Sequence, residues 1–156
     1  LMKSGRLLSE IERALAAHGL DASCLEIEIN EEVLMEDVAS AIEELQAIRE
    51  YGVKVSIDDF GTGRTALRWL HDLPVDIMKI DQSFILDLAN HPQTQSVVKS
   101  VIQLGQGLGL EVVAEGIETS EDEAVLKALH CVTGQGYYYA KPMPATEFAG
   151  RFMKRA

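Results

Sequence analysis

The sequence predicts an α/β fold, a parallel sheet curved into part of a (β/α) barrel, and three observations predict it. Helical and strand-like apolar patterns alternate from end to end, as in a parallel sheet with crossover helices. Four successive strand-like runs each set an aliphatic face against a charged residue near the C-terminal end, namely Glu28, Asp58, Lys79 and Glu115, and Gln135 sits at the matching place in a fifth. Strands covered by helices on both faces read as continuous aliphatic runs, so an open doubly wound sheet fits these alternating strands less well. Charged groups at the C-terminal ends of barrel strands lie where barrel enzymes keep their active sites.

The elements follow in order. Leu7, Leu8, Ile11 and Leu15 repeat at helical spacing, and Gly19 stands where a left-handed cap would end the helix. Leu25, Ile27 and Ile29 alternate with Glu26 and Glu28, a strand. Val38, Ile42, Leu45 and Ile48 predict a second amphipathic helix closed by Gly52, with a strand over 53–58 behind it. A short helix from Thr65 to His71 leads through Pro74 to a strand over Ile77–Asp81. Val97, Val98, Val101, Ile102 and Leu108 mark a helix before Gly109, feeding a strand from Glu111 to Gly116. Ser120 and Glu123 have capping-box spacing for a helix through Leu129. A strand over Gln135–Tyr139, a connection holding Pro142 and Pro144, and a helix carrying Phe148 and Phe152 complete the chain.

Composition limits the chemistry. At 156 residues, 47% hydrophobic and 25% charged, the chain is one domain or part of one. A net charge of −11, with 14 Lys and Arg against 25 Asp and Glu, excludes a DNA or RNA backbone binder and makes a metal the natural mediator for an anionic substrate. Cys24 and Cys131 are unpatterned and read as core thiols of a reducing cytoplasm. No apolar run approaches the roughly 20 residues of a membrane span, and no signal peptide is visible.

Asp58 and Asp59, where the strand runs into Gly61-Thr62-Gly63, read either as a hard-cation site or as the start of a turn. With Glu28 and Glu115 they form an oxygen-only donor set, which points to Mg²⁺ or Mn²⁺ rather than zinc. Four carboxylates and one lysine suit a two-metal phosphoryl site. Lys79 then either orients the attacking water and offsets developing charge, or forms an interior salt bridge with Asp81 or an inward carboxylate.

Five ordered motifs, Glu28-Ile29-Asn30-Glu31, Ile57-Asp58-Asp59-Phe60-Gly61-Thr62-Gly63, Lys79-Ile80-Asp81, Ala114-Glu115-Gly116-Ile117-Glu118 and Gln135-Gly136-Tyr137, resemble those of the EAL domains, the cyclic di-GMP phosphodiesterases, from about Leu7 to the end. The resemblance implies a TIM-like barrel in which two Mg²⁺ or Mn²⁺ ions serve hydrolysis of cyclic di-GMP to linear pGpG. It implies Glu28, Asp58, Asp59 and Glu115 as metal ligands, Lys79 as the water-positioning lysine, Gln135 as a site-lining group and Asp81 as a support for the lysine. Glu31 and Glu118 resemble glutamates that order the loop after Asp59, a segment the family also uses in dimerisation; as loop acids they read equally as solvated charges.

The chain departs from the family in places. Asn30 stands where Thr is more usual, Arg64-Thr65-Ala66 replaces Tyr-Ser-Ser, and Lys141-Pro142 replaces Arg-Pro. The Glu-Ala-Leu strand with its metal-binding Glu has no counterpart, nor does a later strand with a ligating Asn, nor a substrate-gripping Arg. A whole barrel needs about 250 residues, so roughly three of eight βα units are expected to be missing and residues 1–156 to form a single incomplete EAL domain. The opening Leu1-Met2-Lys3 agrees with a piece of something longer. Two function classes follow: a portion of a phosphodiesterase, inactive by itself, or a binding module that associates with another copy or a partner through exposed sheet edges. A non-catalytic receptor for the dinucleotide is the weaker third, since a receptor has no need of the carboxylate set.

Overall fold

Five strands pair in parallel in their chain order, β1 (Glu26–Asn30), β2 (Lys54–Phe60), β3 (Ile77–Ile80), β4 (Glu111–Ala114) and β5 (Thr133–Gly134). The computed structural model describes residues 6–30, 38–62 and 70–153. Helices α1 (Arg6–His18), α2 (Val38–Tyr51), α3 (Pro92–Gly107), α4 (Ser120–Ala128) and α5 (Ala145–Phe152) alternate with the strands. The result is the expected α/β architecture, a curved parallel sheet forming part of a barrel. The helix predicted from Thr65 falls largely on 63–69, outside the described residues.

The core lies between the sheet and its helices. Ile11 and Leu15 of α1 and Leu45 and Ile48 of α2 pack on Ile29, Val55 and Ile57. Val98 and Ile102 of α3 and Leu126 of α4 pack on Ile80, Val112 and Ala114. These aliphatic side chains occupy one face of each of β1 to β4, so the alternating residues are left to the other face. That second face holds Glu28, Lys79 and Glu115. Among the described residues, no helix is long and apolar enough to cross a membrane.

Cys131 is buried as expected of a core thiol, but Cys24 is exposed, and three further local readings need correction. The N-cap of α4 is Thr119, whose side chain accepts from Asp122 N–H, while Ser120 is the first helical residue. Thr119-x-x-Asp122 has the same spacing as Ser120-x-x-Glu123, and only Thr119 has the extended backbone a cap requires. The last strand is Thr133–Gly134 rather than Gln135–Tyr139. Beyond it the chain leaves the sheet, with Tyr138 N–H donating to Ile117 O and Tyr139 N–H to Gly136 O. Strand β4 ends at Ala114, before Gly116.

One feature fixes each end of β2 and β3. The β2–β3 register shifts between Ile57 and Phe60, and within that break Asp59 takes a left-handed backbone with φ 54. At the opposite end, Asp76 accepts from Arg49 Nε at 3.0 Å and Nη2 at 2.7 Å, and from Val55 N–H at 3.0 Å. Burial alone would raise the Asp76 pKa, but the bonds from Arg49 and Val55 outweigh it and hold the carboxyl below its ordinary range. Asp76→Ala strips Val55 N–H and Arg49 of their acceptor, so a loss of about 2 kcal/mol is expected. Because the pKa is depressed, this contribution is present above the unfolded aspartate value and fades as pH falls through the folded one. Urea midpoints of the two proteins, compared at neutral and acid pH, check both statements.

Candidate active site

Lys79 projects from β3 to the charged face, its side chain only 7% exposed. Its ammonium donates to Glu28 Oε1 of β1 and lies 3.2 Å from Glu115 Oε1, just past β4. Gln135, just past β5, donates from Nε2 to the same Glu115 oxygen at 2.7 Å. One polar chain, Glu28–Lys79–Glu115–Gln135, thus crosses the mouth of the sheet. Strand parity explains it, because these residues share the face opposite the aliphatic core.

The Asp58-Asp59 pair lies beside this chain. Among the described residues, Asp58 Oδ1 is buried with no hydrogen-bond partner, as is Ser56 Oγ two residues earlier on the same strand. Asp59 Oδ2 accepts from Asn30 Nδ2 at 2.7 Å, and the Asp81 carboxyl lies close enough for its charge to act on Asp59. Asp81 caps the short 3₁₀ turn Gln82–Phe84 by accepting from Ser83 N–H at 3.0 Å and from Ser83 Oγ.

The electrostatics are those of a crowded acidic mouth with one internal cation. Burial disfavours the Lys79 ammonium, yet the bonds with Glu28 and Glu115 prevail and hold its pKa above the ordinary lysine value. Burial pushes the Glu115 carboxyl up, aided by Asp58 and Glu28, and Lys79 offsets only part of this. Asp59 is likewise raised, by burial first and then by the charges of Asp58 and Asp81. Burial would raise Asp81 too, but its bonds with Ser83 bring it below its usual value.

A family model described as EAL domain matches residues 1–142. The chain belongs to the EAL domain family. It is 42% identical over 138 residues to the cyclic di-GMP phosphodiesterase NbdA of Pseudomonas aeruginosa, covering 88% of this chain and 18% of that protein. The structure is similar to the EAL domain of Mycobacterium smegmatis DcpA, with a TM-score of 0.89 at 35% identity, covering 96% of this chain and 67% of that one. It also matches Klebsiella pneumoniae BlrP1 solved with manganese and cyclic di-GMP, with a TM-score of 0.81 at 31% identity, over 86% of this chain and 34% of that one. The chain therefore spans about a fifth of the length of the curated relative it matches.

Within this EAL chain, Glu28, Lys79, Glu115 and Gln135 are brought into direct contact, and Asp58 and Asp59 flank them. Asp81 engages Asp59 and Ser83, not Lys79, because β3 ends at Ile80 and the backbone turns at Asp81. Glu31 lies outside the described residues, and Glu118 is exposed on the loop beyond Glu115. Among the described residues, no three His, Cys, Asp or Glu side chains are gathered to hold a metal ion. Lys79 stands between Glu28 and Glu115 and takes up their charge. The donors nonetheless fit a hard cation, since all are oxygens and Asp58 presents a buried, unpartnered one. Asn30, noted in the sequence only as a departure from the family's usual Thr, is a neighbour of Asp59 in the site. Its signal was its parity with Glu28, two residues earlier on the same strand.

Proposed function

We propose that this chain supplies the carboxylate-and-lysine part of a metal-dependent cyclic di-GMP phosphodiesterase site forming linear pGpG, and that residues 1–156 alone, as a single incomplete EAL domain, do not turn the dinucleotide over. The observation that carries this is the buried Lys79 held between Glu28 and Glu115, beside an unpartnered Asp58 oxygen. The name of NbdA and the manganese and dinucleotide in the BlrP1 structure support the same chemistry. Among the described residues both cysteines are free thiols, which suits action in the cytoplasm.

Glu28, Asp58, Asp59 and Glu115 would hold Mg²⁺ or Mn²⁺, which when bound acidifies a water and offsets charge on the phosphodiester. Lys79 orients that water through its ammonium and neutralises negative charge building on the phosphoryl oxygens. Gln135 fixes the rotamer of Glu115, and Asn30 fixes that of Asp59. Glu118 and Glu31 order the loop beyond Asp59.

A chimera tests the reading, with the part of the DcpA EAL domain that this chain does not cover placed ahead of it. Chelator-sensitive conversion of cyclic di-GMP to pGpG by the chimera, with none by the 156-residue chain, is expected by liquid chromatography. A folded chimera without turnover overturns the reading, and turnover by the isolated chain overturns its second half. Self-association is the second reading, favoured by β1 and β5 each pairing on one side only among the described residues and by the exposed Phe148 and Phe152 of α5. A monomer by light scattering at high concentration counts against it.

A further inference from the structure

The 3₁₀ turn Gln82–Phe84 beyond β3 lies against the backbone that follows each acidic motif. A Cβ built at Gly61, shortly after Asp59, lies 3.1 Å from Phe84 Cε2 and 3.4 Å from Phe84 Cζ. One built at Gly116, next to Glu115, lies 2.5 Å from Gln82 Cβ and 3.2 Å from Gln82 Cα. Both glycines have positive φ, 102 and 74, so turn geometry alone accounts for their missing side chains. It does not account for their shared neighbour. The loops after β2 and β4, on opposite sides of β3, come to rest on one short turn.

The turn is well held. Asp81 accepts from Ser83 N–H at 3.0 Å, Phe84 N–H donates to Asp81 O at 3.1 Å and Ile85 N–H to Gln82 O at 3.0 Å. Phe84 also packs on the core cluster that holds Ile80, Ile85 and Leu88. Sheet pairing, by contrast, leaves the acids loosely specified, because Asp58 and Asp59 fall in the interruption of the β2–β3 register and β4 ends before Glu115. Carboxylates that hold an ion must stay within about 0.5 Å of their working positions, and the residues behind metal ligands supply that constraint. We propose that the Gln82–Phe84 turn is a spacer, in which Phe84 seats the backbone after Asp59, Gln82 seats the backbone after Glu115, and the two together set the separation of the carboxylate groups. Both are positioning residues that act through Gly61 and Gly116. The proposal rests on the metal-site reading above and adds to it two uncharged side chains outside the donor set.

Two side-chain amides report the two groups separately in the 156-residue chain, since Asn30 donates to Asp59 and Gln135 to Glu115, each at 2.7 Å. Phe84→Ala is expected to move the Asn30 amide signals upfield in NMR spectra, as that bond lengthens, and to leave those of Gln135 in place. Gln82→Gly does the reverse. Gln82→Ala keeps the Cβ beside Gly116 and moves neither. Asp76→Ala, which costs stability at the far end of the strands, also moves neither and so separates positioning from lost stability. Should Phe84→Ala fail to fold, Phe84→Leu removes the ring edge with less loss of core. In the chimera, Phe84→Ala raises the manganese concentration needed for half-maximal turnover by about tenfold or more. Asn30 signals unmoved in a folded Phe84 variant, or Gln135 signals that respond alike to Gln82→Gly and Gln82→Ala, overturn the inference. Unmoved signals beside an active chimera sink the spacer alone. The expected shifts beside a folded, inactive chimera keep the spacer and sink the phosphodiesterase reading.

Discussion

Lys79→Met is expected to lower the stability of the chain at neutral pH by about 3 kcal/mol, the low end for breaking a buried ion pair. Methionine keeps most of the apolar stem, so the loss reports the ammonium. The low end applies because Glu28 is half exposed and water can serve it, whereas Glu115, with a side chain 17% exposed, is left without its counter-charge. The pH dependence follows from the shifts. The Lys79 pKa is raised, so its contribution is complete below the unfolded lysine value and is lost only as pH rises through the folded one. The Glu115 pKa is raised already and climbs further without Lys79, so the variant recovers part of its loss as acid protonates Glu115. Manganese should also restore some stability to the variant by binding the freed carboxylates. In the chimera, turnover falls by about a thousandfold, the scale of removing one preorganised charge-stabilising donor. Unfolding curves at two pH values and one rate assay decide the matter; a variant as stable as the parent would leave Lys79 as a bystander.

Gly136→Ala is expected to cost about 3 kcal/mol, through overpacking that no rotamer relieves. A Cβ built there lies 2.1 Å from Ile117 O and 2.3 Å from Ile117 N. Both obstacles are backbone. They are also engaged, since Ile117 N–H donates to Gln135 O and Ile117 O accepts from Tyr138 N–H. Any shift that clears the methyl therefore pulls Gln135 off the Glu115 oxygen it holds at 2.7 Å. Loss of the Gln135 side-chain amide signature in NMR spectra, together with the lowered urea midpoint, checks the prediction. Gly150→Ala is the control, because that position in α5 has nothing within 4 Å and alanine favours a helix by about 0.5–1 kcal/mol. Equal behaviour of the two variants would show that Gly136 is not a contact point.

Periodicity carried most of the fold. Three glycine stops predicted at 19, 52 and 109 all have positive φ, and the aliphatic faces of β1 to β4 are those that pack on helices. Parity also carried the contact of Glu28, Lys79 and Glu115, which could meet only if they shared a face. What escaped the sequence is tertiary. Tyr137-Tyr138-Tyr139 looks like a strand by composition, but Ile117 captures that backbone and turns it away, as context overrides β-propensity. Asp81 sits one step beyond β3, where the backbone turns, so the role the resemblance implied beside Lys79 gives way to a cap on Ser83. Thr119 and Ser120 are adjacent cap candidates of equal chemistry, and the extended backbone of Thr119 chose between them.

The misalignment of β2 with β3 between Ile57 and Phe60 has a consequence for how an acidic cluster is assembled. A regular ribbon sends consecutive side chains to opposite faces, so two acids in a row would normally be divided between core and cavity. One residue out of step, with Asp59 in a left-handed backbone, lets Asp58 and Asp59 act on each other's charge. A single short strand can then deliver two carboxylates to one place, and the density of charge at the rim is set by a kink rather than by additional strands.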